Sequence, residues 1–391
     1  MATRNRVPRA IGVIVFVFLA TAAASADVIF WIGTANSNWD VAANWSLGRV
    51  PAAGDDVLIT NIGTRRVILA DPTPQLNSFT IQNGTLVFTN WTTVLNAGQV
   101  TIGDGGVLTM PAAFATNQMS NRIAIACTDL LITTGGVINA DRLGFRQANG
   151  PGASATVATY TSGGAGHGGQ GGISANLFVG GGEYNTPSNP IVPGSGGGNT
   201  TSCQGGPGGG AVWIQASGRI TVHGVISANG GPATIGVSRD GGGGSGGSIL
   251  LICETFTGTG GIIRAEGART SSLAGGGGGG RIALHYSPAA QALQDPPQVE
   301  FSVQPGLGYV YERDRFLMAD YGTLYFSDTT GVFRVSNSVT GFRGYLVFPD
   351  NFPVFAANAL HLQKACIGFT PDPFSFEISG PVHVADTNSG M

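Results

Sequence analysis

The chain has 391 residues, of which 42% are hydrophobic and 10% charged, with 64 glycines and a formal net charge of −3. The hydrophobic content excludes a disordered chain. A nucleic-acid partner is excluded because no basic stripe is present to neutralise phosphates. Because the chain is rich in hydrophobic residues and poor in charged ones, its apolar side chains must be buried on regular faces, as they are in stacked strands.

The first 26 residues are predicted to be a secretory signal peptide. Three arginines within residues 4–9 precede an apolar stretch at 10–24, and residues 24–26 form an Ala-x-Ala cleavage site. A membrane anchor is the weaker alternative, because the apolar stretch is too short to span a bilayer. We therefore expect a protein secreted to the extracellular space or the cell surface, with no transmembrane segment after cleavage.

Residues 27–60 are predicted to cap the start of a stack of strands. Trp31, Trp39 and Trp45 offer the apolar area that an exposed end coil needs. A sugar-stacking platform is the alternative, and capping is favoured because tryptophan more often completes a core rim.

The same opening carries a resemblance. Its motif consists of Trp31-Ile32-Gly33, Asn38-Trp39, Asn44-Trp45-Ser46, Val50-Pro51 and the run 54–59. It resembles the start of exported bacterial β-solenoid proteins, including autotransporter-passenger-like and large surface proteins. In that family the stretch leads into a parallel β-helix, so the resemblance implies this fold and export. The motif holds no active site, so no catalytic residue is carried over.

Six short apolar runs follow at close spacing, with no helical period, and predict two to three coils of strands. They are 57–59, 67–69, 79–81, 86–88, 100–102 and 107–110. Asn83-Gly84 and residues 104–106 are turn signals. Locally, Asn-Gly favours an antiparallel hairpin. The repeats downstream favour parallel strands instead.

Those repeats are three copies of one element: glycine, two β-branched residues, a polar residue and alanine. They start at Gly136, Gly224 and Gly261. Repeated strands with insertions of variable length indicate a solenoid. We therefore predict an all-β fold, a right-handed parallel β-helix (β-solenoid) over residues 61–286 with Gly-rich loop insertions. Val137, Val225 and Ile262 should lie in register on one parallel sheet, about 4.8 Å apart.

A second element precedes each copy, and its last position is Cys127, Ala216 or Cys253. A position that accepts either cysteine or alanine is predicted to hold a small, buried, apolar side chain. Cys127 and Cys253 should therefore face the core without bonding to each other, with the Ala216 coil between them. With Cys203 and Cys366 the chain has four cysteines, for which three disulfide pairings are open.

The longest insertion occupies residues 141–211. Its glycine runs within 163–210 are expected to lie across the outside of the solenoid or to be mobile, because glycine loses most entropy on ordering. Residues 177–179, Leu-Phe-Val, are the expected docking point. Deleting residues 181–205 is then expected to leave the solenoid folded.

Residues 287–391 are predicted to form further β coils or a small β domain, and coils are favoured. The chain ends straight after a strand, without a capping helix or an anchor, an ending that a truncated product would also show.

Candidate catalytic groups were weighed, and none is predicted to be catalytic. Asp55 and Asp56 are adjacent on a strand and point to opposite faces; the other acidic candidates are Asp240, beside Arg239, and the pair Glu254 and Glu266. No histidine has metal-ligand spacing, and no metal or cofactor is expected. The histidines are His167, His223, His285, His361 and His383.

The favoured function is therefore a secreted structural or adhesive cell-surface protein, with surface glycans or other extracellular matrix components as partners. The alternative is a polysaccharide lyase, a glycoside hydrolase or a carbohydrate-binding module on a β-helix, by analogy of fold. Acidic side chains that converge in one groove would favour the alternative, and acids scattered over all faces would favour the first.

Overall fold

The computed structural model describes most of the chain after the predicted leader. The described residues are 26–34, 37–114, 118–158, 160–234, 236, 240–270, 273–308, 318–328, 339–349, 354–357, 360–363, 366–369 and 375–384. The predicted signal peptide, except for Ala26, lies outside them, as does Arg239.

The regular elements of the described residues are strands, apart from a 3-10 turn at Ala42–Asn44 and one short helix, α1 (Pro288–Gln291). The strands in chain order are β1 (Val28–Phe30), β2 (Asp56–Thr60), β3 (Arg66–Leu69), β4 (Leu76–Gln82), β5 (Gly84–Phe88), β6 (Leu95–Ile102), β7 (Gly106–Thr109), β8 (Ile123–Ile132), β9 (Val137–Asn139), β10 (Ala211–Ala216), β11 (Arg219–Val222), β12 (Val225–Ser227), β13 (Ser248–Ile252), β14 (Thr255–Thr257), β15 (Thr259–Arg264), β16 (Arg281–His285), β17 (Gln298–Ser302), β18 (Thr323–Phe326), β19 (Val339–Thr340), β20 (Phe342–Val347), β21 (Val354–Ala357), β22 (Leu360–Gln363), β23 (Cys366–Phe369), β24 (Ser375–Ile378) and β25 (Val382–Val384).

These strands stack coil on coil as a parallel β-helix with three faces. The first sheet runs through the start of β8, then β10, β13, β16, β18 and β20. The second runs through β1, β2, β4, β6, the end of β8, β11 and β14. The third runs through β3, β5, β7, β9, β12, β15 and β17. The predicted fold class, an all-β parallel solenoid, is confirmed.

The predicted register of the third sheet is also confirmed. Val225 pairs with Val137 on one side and with Ile262 on the other, in parallel. The local hairpin alternative at Asn83-Gly84 is wrong, because β4 pairs with β6 and β5 pairs with β7, both in parallel. Asn83 instead takes a positive φ of 47° and turns the chain from the second sheet to the third.

The core of the solenoid follows the two-residue alternation of its strands. Ile138, Ile226 and Ile263 occupy one inward row and are fully buried. Cys127, Ala216 and Cys253 are likewise buried in the core cluster, and both cysteines are free. Cys127 pairs with Ala216, and β10 lies between β8 and β13, so the predicted separation of the two thiols is confirmed.

The N-terminal tryptophans are buried at the start of this core. Trp45 packs edge-on against Trp31 and Trp39, with ring centroids 5.1 and 4.7 Å apart. Arg49 ties the segment down through ion pairs to Asp27 at 2.9 Å and to the buried Asp55 at 2.5 Å. Hydrogen bonds from Arg49 hold the pKa of Asp55 below its usual value.

The glycine-rich stretches form a second ordered layer at the corner between the third and first sheets. We call this layer the glycine bundle. It comprises 163–172, 194–198, 205–210, 228–232, 241–247, 265–268 and 275–280. Segments 205–210, 241–247 and 275–280 run directly into β10, β13 and β16. Every residue of 241–247 and 275–280 is buried.

Hydrogen bonding in the bundle has a period of three residues. In the segment 242–247, successive N–H groups donate to three different neighbouring segments in turn, over 2.7–3.1 Å. The donor–acceptor pairs are Gly242–Gly198 and Ser245–Ser195, Gly243–Gly275 and Gly246–Gly278, and Gly244–Gly231 and Gly247–Ala228. A period of three with all bonds between segments is the pattern of packed polyproline II helices.

Of the two expectations, that these glycines lie across the outside of the solenoid or are mobile, mobility is therefore wrong: they form a packed layer at one corner of the solenoid. A Cβ on Gly242 would overlap the carbonyl oxygen of Gly163, and one on Gly277 would overlap that of Gly244. Glycine is thus required for close approach of backbones, whose hydrogen bonds offset the entropy of ordering. The expected docking cluster is also wrong, since Leu177 is 61% and Val179 66% exposed.

In the C-terminal region the coils continue. Strand β20 pairs in parallel with β18 and β23, and the remaining strands pair in parallel as β19–β22–β25 and β21–β24. This topology favours coils over a separate β-sandwich. No helix among the described residues is both long and apolar enough to cross a membrane.

Candidate functional site

A groove of about 570 Å³ runs along the outer face of the second sheet. One row of outward side chains crosses four coils there, because Gln99 pairs with Asp129, Arg219 lies beside Asp129, and Arg219 pairs with Thr255. The groove lining is Gln99, Asp129, Leu130, Leu131, Gly218, Arg219, Thr221, Glu254, Thr255, Ala290, Leu293 and Gln294.

Helix α1 closes one end of this groove. It follows β16 at the place where the next coil would add a strand beside β14. The side chain of Gln291 replaces that strand: its Nε2 donates to the carbonyl of Phe256 at 2.9 Å, and its Oε1 accepts from the Phe256 N–H at 2.7 Å. Ser287 caps the helix by accepting from Ala290 N. The helix thereby places Leu293, 84% exposed, at the rim of the groove.

Asp129 is the most constrained charged group in the groove. Its Oδ1 accepts from the backbone N–H of Arg219 at 2.7 Å, and its Oδ2 accepts from Gln99 Nε2 at 3.0 Å. These hydrogen bonds, that from Gln99 foremost, lower the pKa of Asp129. A carboxylate held ionised in this way suits the binding of hydroxyl or cationic groups and does not suit general-acid catalysis.

The neighbouring side chains are polar and leave part of their surface open. Arg219 and Glu254 are exposed, and Arg219 Nε contacts Thr255 Oγ1 at 3.5 Å. In the next row Thr221 and Thr257 join their hydroxyls at 2.9 Å. The groove therefore combines two acids, one guanidinium and hydroxyl groups with the apolar side chains of Leu131 and Leu293.

Of the acids weighed from the sequence, the structure places only Glu254 in this groove. Asp55 is buried against Arg49, whereas Asp56 accepts from Asn77 and Ser78. Asp240 is buried and accepts from Gly236 N. Glu266 accepts from Ser302 in the third sheet. Two acidic side chains, Asp129 and Glu254, therefore lie in one groove, while Asp55, Asp56, Asp240 and Glu266 lie elsewhere.

Sequence reasoning missed Gln99, Asp129 and Arg219, although a signal was present. Asp129, Arg219 and Glu254 follow the aligned positions Cys127, Ala216 and Cys253 by two, three and one residues. Extending the repeat alignment past these positions would have placed all three on the same corner of successive coils.

The histidines of the described part of the chain have structural partners. His223 Nδ1 lies 3.1 Å from Thr259 N, and His285 Nε2 donates to the carbonyl of Ser188 at 2.6 Å. His383 lies in β25. The side chain of His361 lies outside the described residues. Among the described side chains no cluster of histidine, cysteine and acidic groups could hold a metal.

A buried group of His167, Tyr184 and Ser195 resembles a catalytic cluster in composition only. The Tyr184 hydroxyl donates to Pro193 O at 2.5 Å and accepts from Ser195 Oγ at 2.9 Å, while His167 Nδ1 donates to Gly246 O at 2.8 Å. His167 and Ser195 are fully buried, and burial lowers the pKa of His167 to about 3. The partners of His167 and Tyr184 are thus backbone carbonyls, that of Gly246 in the glycine bundle and that of Pro193 directly before it.

The other sequence candidates are inaccessible. The indoles of Trp31, Trp39 and Trp45 are at most 6% exposed, so no sugar can stack on them. Burial raises the pKa of the Cys127 and Cys253 thiols to about 12, so neither is a nucleophile at neutral pH. Cys203 is also buried, and the side chain of Cys366 lies outside the described residues.

Comparison with known protein families identifies a match to part of the chain. The family model of the G8 domain matches residues 44–136, from the residue before Trp45 to the turn after β8. The G8 domain is typical of extracellular proteins, so the match indicates an extracellular protein. Gln99 and Asp129 lie inside the match, whereas Arg219 and Glu254 lie beyond it. No curated protein and no solved structure matches the chain.

Proposed function

We propose that the protein is an extracellular adhesive solenoid that binds a glycan chain along the groove of the second sheet. The observation that carries this proposal is the row Gln99, Asp129, Arg219 and Thr255, with Glu254 beside it, across four consecutive coils. An extended row of hydrogen-bonding groups with the spacing of stacked strands, about 4.8 Å, fits an extended polymer.

The chemistry of the groove fits a polyhydroxylated ligand. Carboxylates accept hydrogen bonds from sugar hydroxyls, and threonine hydroxyls both donate and accept them, while Leu131 and Leu293 offer contact for the apolar face of a ring. Both oxygens of Asp129 are also held by protein donors before any ligand arrives. The arrangement is therefore already ordered for binding.

Binding without hydrolysis is favoured by the acid–base properties of Asp129. Glycoside hydrolysis uses two carboxyl groups, one of which must carry a proton as general acid. The pKa of Asp129 is lowered, which keeps this group ionised. Asp129 is thereby excluded as the general acid, and Glu254 is the other carboxyl group of the groove. The adhesive function remains our first choice, and a carbohydrate-active enzyme is the alternative.

A glycan array probed with the mature protein tests the proposal. For any glycan bound, Arg219→Gln and Glu254→Gln should each weaken binding about tenfold, equivalent to about 1.4 kcal/mol, by removing a charge-assisted hydrogen bond. The matched control is Glu300→Gln, an exposed glutamate of the third sheet. Binding unchanged by both groove variants would contradict the proposal. Release of reducing sugar from a bound glycan would favour the enzyme.

A further inference from the structure

A guanidinium is held between two indoles on the outer face of the first sheet. The central carbon of Arg122 lies 5.2 Å from the ring centroid of Trp91 and 4.7 Å from that of Trp213. The three residues belong to consecutive coils, just before β6, just before β8 and within β10. Their spacing therefore follows the stacking of the strands, and Arg122 lies between the two rings.

Among the described residues, no acidic side chain is paired with the charge of Arg122. In the part of the chain that the structure describes, Arg122 forms no ion pair, and its Nε is buried without a hydrogen-bond partner. Burial alone lowers the pKa of the group, with no contribution from a carboxylate. The guanidinium is half-buried and, apart from the two rings, has no partner in the described part of the chain, so a charge placed in this way calls for an explanation.

A purely structural role explains this arrangement poorly. Covering two indoles requires only apolar surface, which methionine or leucine would supply without desolvating a charge. Arginine instead offers a planar fork of N–H donors that matches two oxygens of one anion. The rings on either side hold this fork in place, so little rotamer entropy remains to be lost when an anion binds.

We propose that Trp91, Arg122 and Trp213 form a binding site for an oxyanion, namely a carboxylate, sulfate or phosphate group. The free edge of the guanidinium donates two parallel hydrogen bonds to it, and the half-buried indoles shield the pair from water. The anion is either a free ion or an acidic group on a larger ligand. This site is separate from the groove, and it stands whether or not the groove binds glycans.

Nuclear magnetic resonance of the full mature chain labelled with ¹⁵N-arginine tests the site. Sodium sulfate, phosphate and acetate are titrated at constant ionic strength set with sodium chloride, and the Nε–H signal of Arg122 is identified by its loss in Arg122→Lys. We expect a saturable shift of this signal with oxyanions. A shift that does not saturate, or that equals the shift of the exposed Arg65 and Arg66, would overturn the proposal.

Two variants sharpen the result. Trp213→Leu removes one stacking face and should weaken the saturable shift about fivefold or more, equivalent to about 1 kcal/mol. The control Arg219→Gln, in the groove, should leave the shift unchanged. If Trp213→Leu also leaves the affinity unchanged, the sandwich is not the site.

The polymer dextran sulfate distinguishes the two sources of the anion. Half-saturation at a sulfate concentration about tenfold below that of the free ion indicates a group on a larger ligand, because neighbouring groups raise the effective concentration. Equal half-saturation indicates a free ion. Either result supports the site, and the absence of any saturable shift with both probes overturns it.

Discussion

The solenoid and the glycine bundle are both stacks of extended chain, and they are stabilised in opposite ways. In the solenoid, inward side chains such as Ile138, Ile226 and Ile263 fill the space between three sheets. In the bundle, backbones replace side chains: segment 241–247 is completely buried, and its N–H groups bond to three neighbours. Burial of apolar area is thus sufficient for one ordered core and unnecessary for the other.

The two regions also respond differently to substitution. A solenoid position tolerates loss of volume poorly, because a cavity remains. A bundle position tolerates gain of volume poorly, because the space beside a glycine is already filled by a carbonyl group. Three experiments test this difference: the deletion of a segment, the addition of one methyl group, and the protonation of one buried side chain.

The largest effect is expected from deletion of residues 181–205. The deletion removes the acceptors for Gly171, Gly242 and Ser245, whose buried N–H groups would lose their partners. Each unsatisfied group costs about 1–3 kcal/mol, so we expect the melting temperature to fall by on the order of 10 °C. Differential scanning calorimetry measures this change. An unchanged melting temperature would show that residues 181–205 do not stabilise the fold and would support the original prediction that they are mobile.

A smaller effect is expected from a single methyl group. Gly242→Ala places a Cβ against the carbonyl of Gly163 and should destabilise the protein by about 1–3 kcal/mol. Gly182→Ala is the matched control, since nothing lies within 4 Å of its added Cβ. The control should be neutral or stabilising by up to about 1 kcal/mol. Urea unfolding compares the two, and equal effects would contradict close packing of the bundle.

The smallest effect concerns His167, which ties the bundle to β13. Its folded pKa is about 3, below the value of about 6.5 expected in the unfolded chain. The unfolded state therefore binds the proton first as the pH falls. Over the single unit from pH 6.5 to pH 5.5, stability should therefore decrease by about 1 kcal/mol.

The variant His167→Gln isolates this contribution. It should lose that part of the pH dependence in urea unfolding, whereas the control His223→Gln, with its partly exposed ring, should retain it. If His167→Gln keeps the full slope, other groups are responsible for the acid sensitivity.

The solenoid could be predicted because its side chains repeat with the coil. The aligned copies at Gly136, Gly224 and Gly261 gave the parallel register, and Cys127, Ala216 and Cys253 gave the inward row. The bundle could not be predicted from side chains, since glycine offers none. What would have indicated it is the number of buried backbone donors that a folded chain must satisfy.

The groove was harder to predict than the fold. Its row depends on outward residues, which the core does not constrain, and on α1, which replaces one strand of the second sheet. The rule that adjacent residues point to opposite faces did correctly separate Asp55 from Asp56. By itself it could not show that Gln99, Asp129, Arg219 and Thr255 would share a row, because this requires the repeat alignment to be extended from the inward positions to the outward residues that follow them.

Because the hydrogen bonds of the glycine segments repeat every three residues, the direction of each N–H group depends on how many residues precede it in the segment. An insertion of one residue in 241–247 would turn every later N–H group towards the wrong neighbour, and two residues would do the same. Three residues would lengthen the segment by one full turn and restore all directions. Among related chains, length differences within these segments should therefore come in multiples of three, whereas turns at the other corners of the solenoid carry no such restriction.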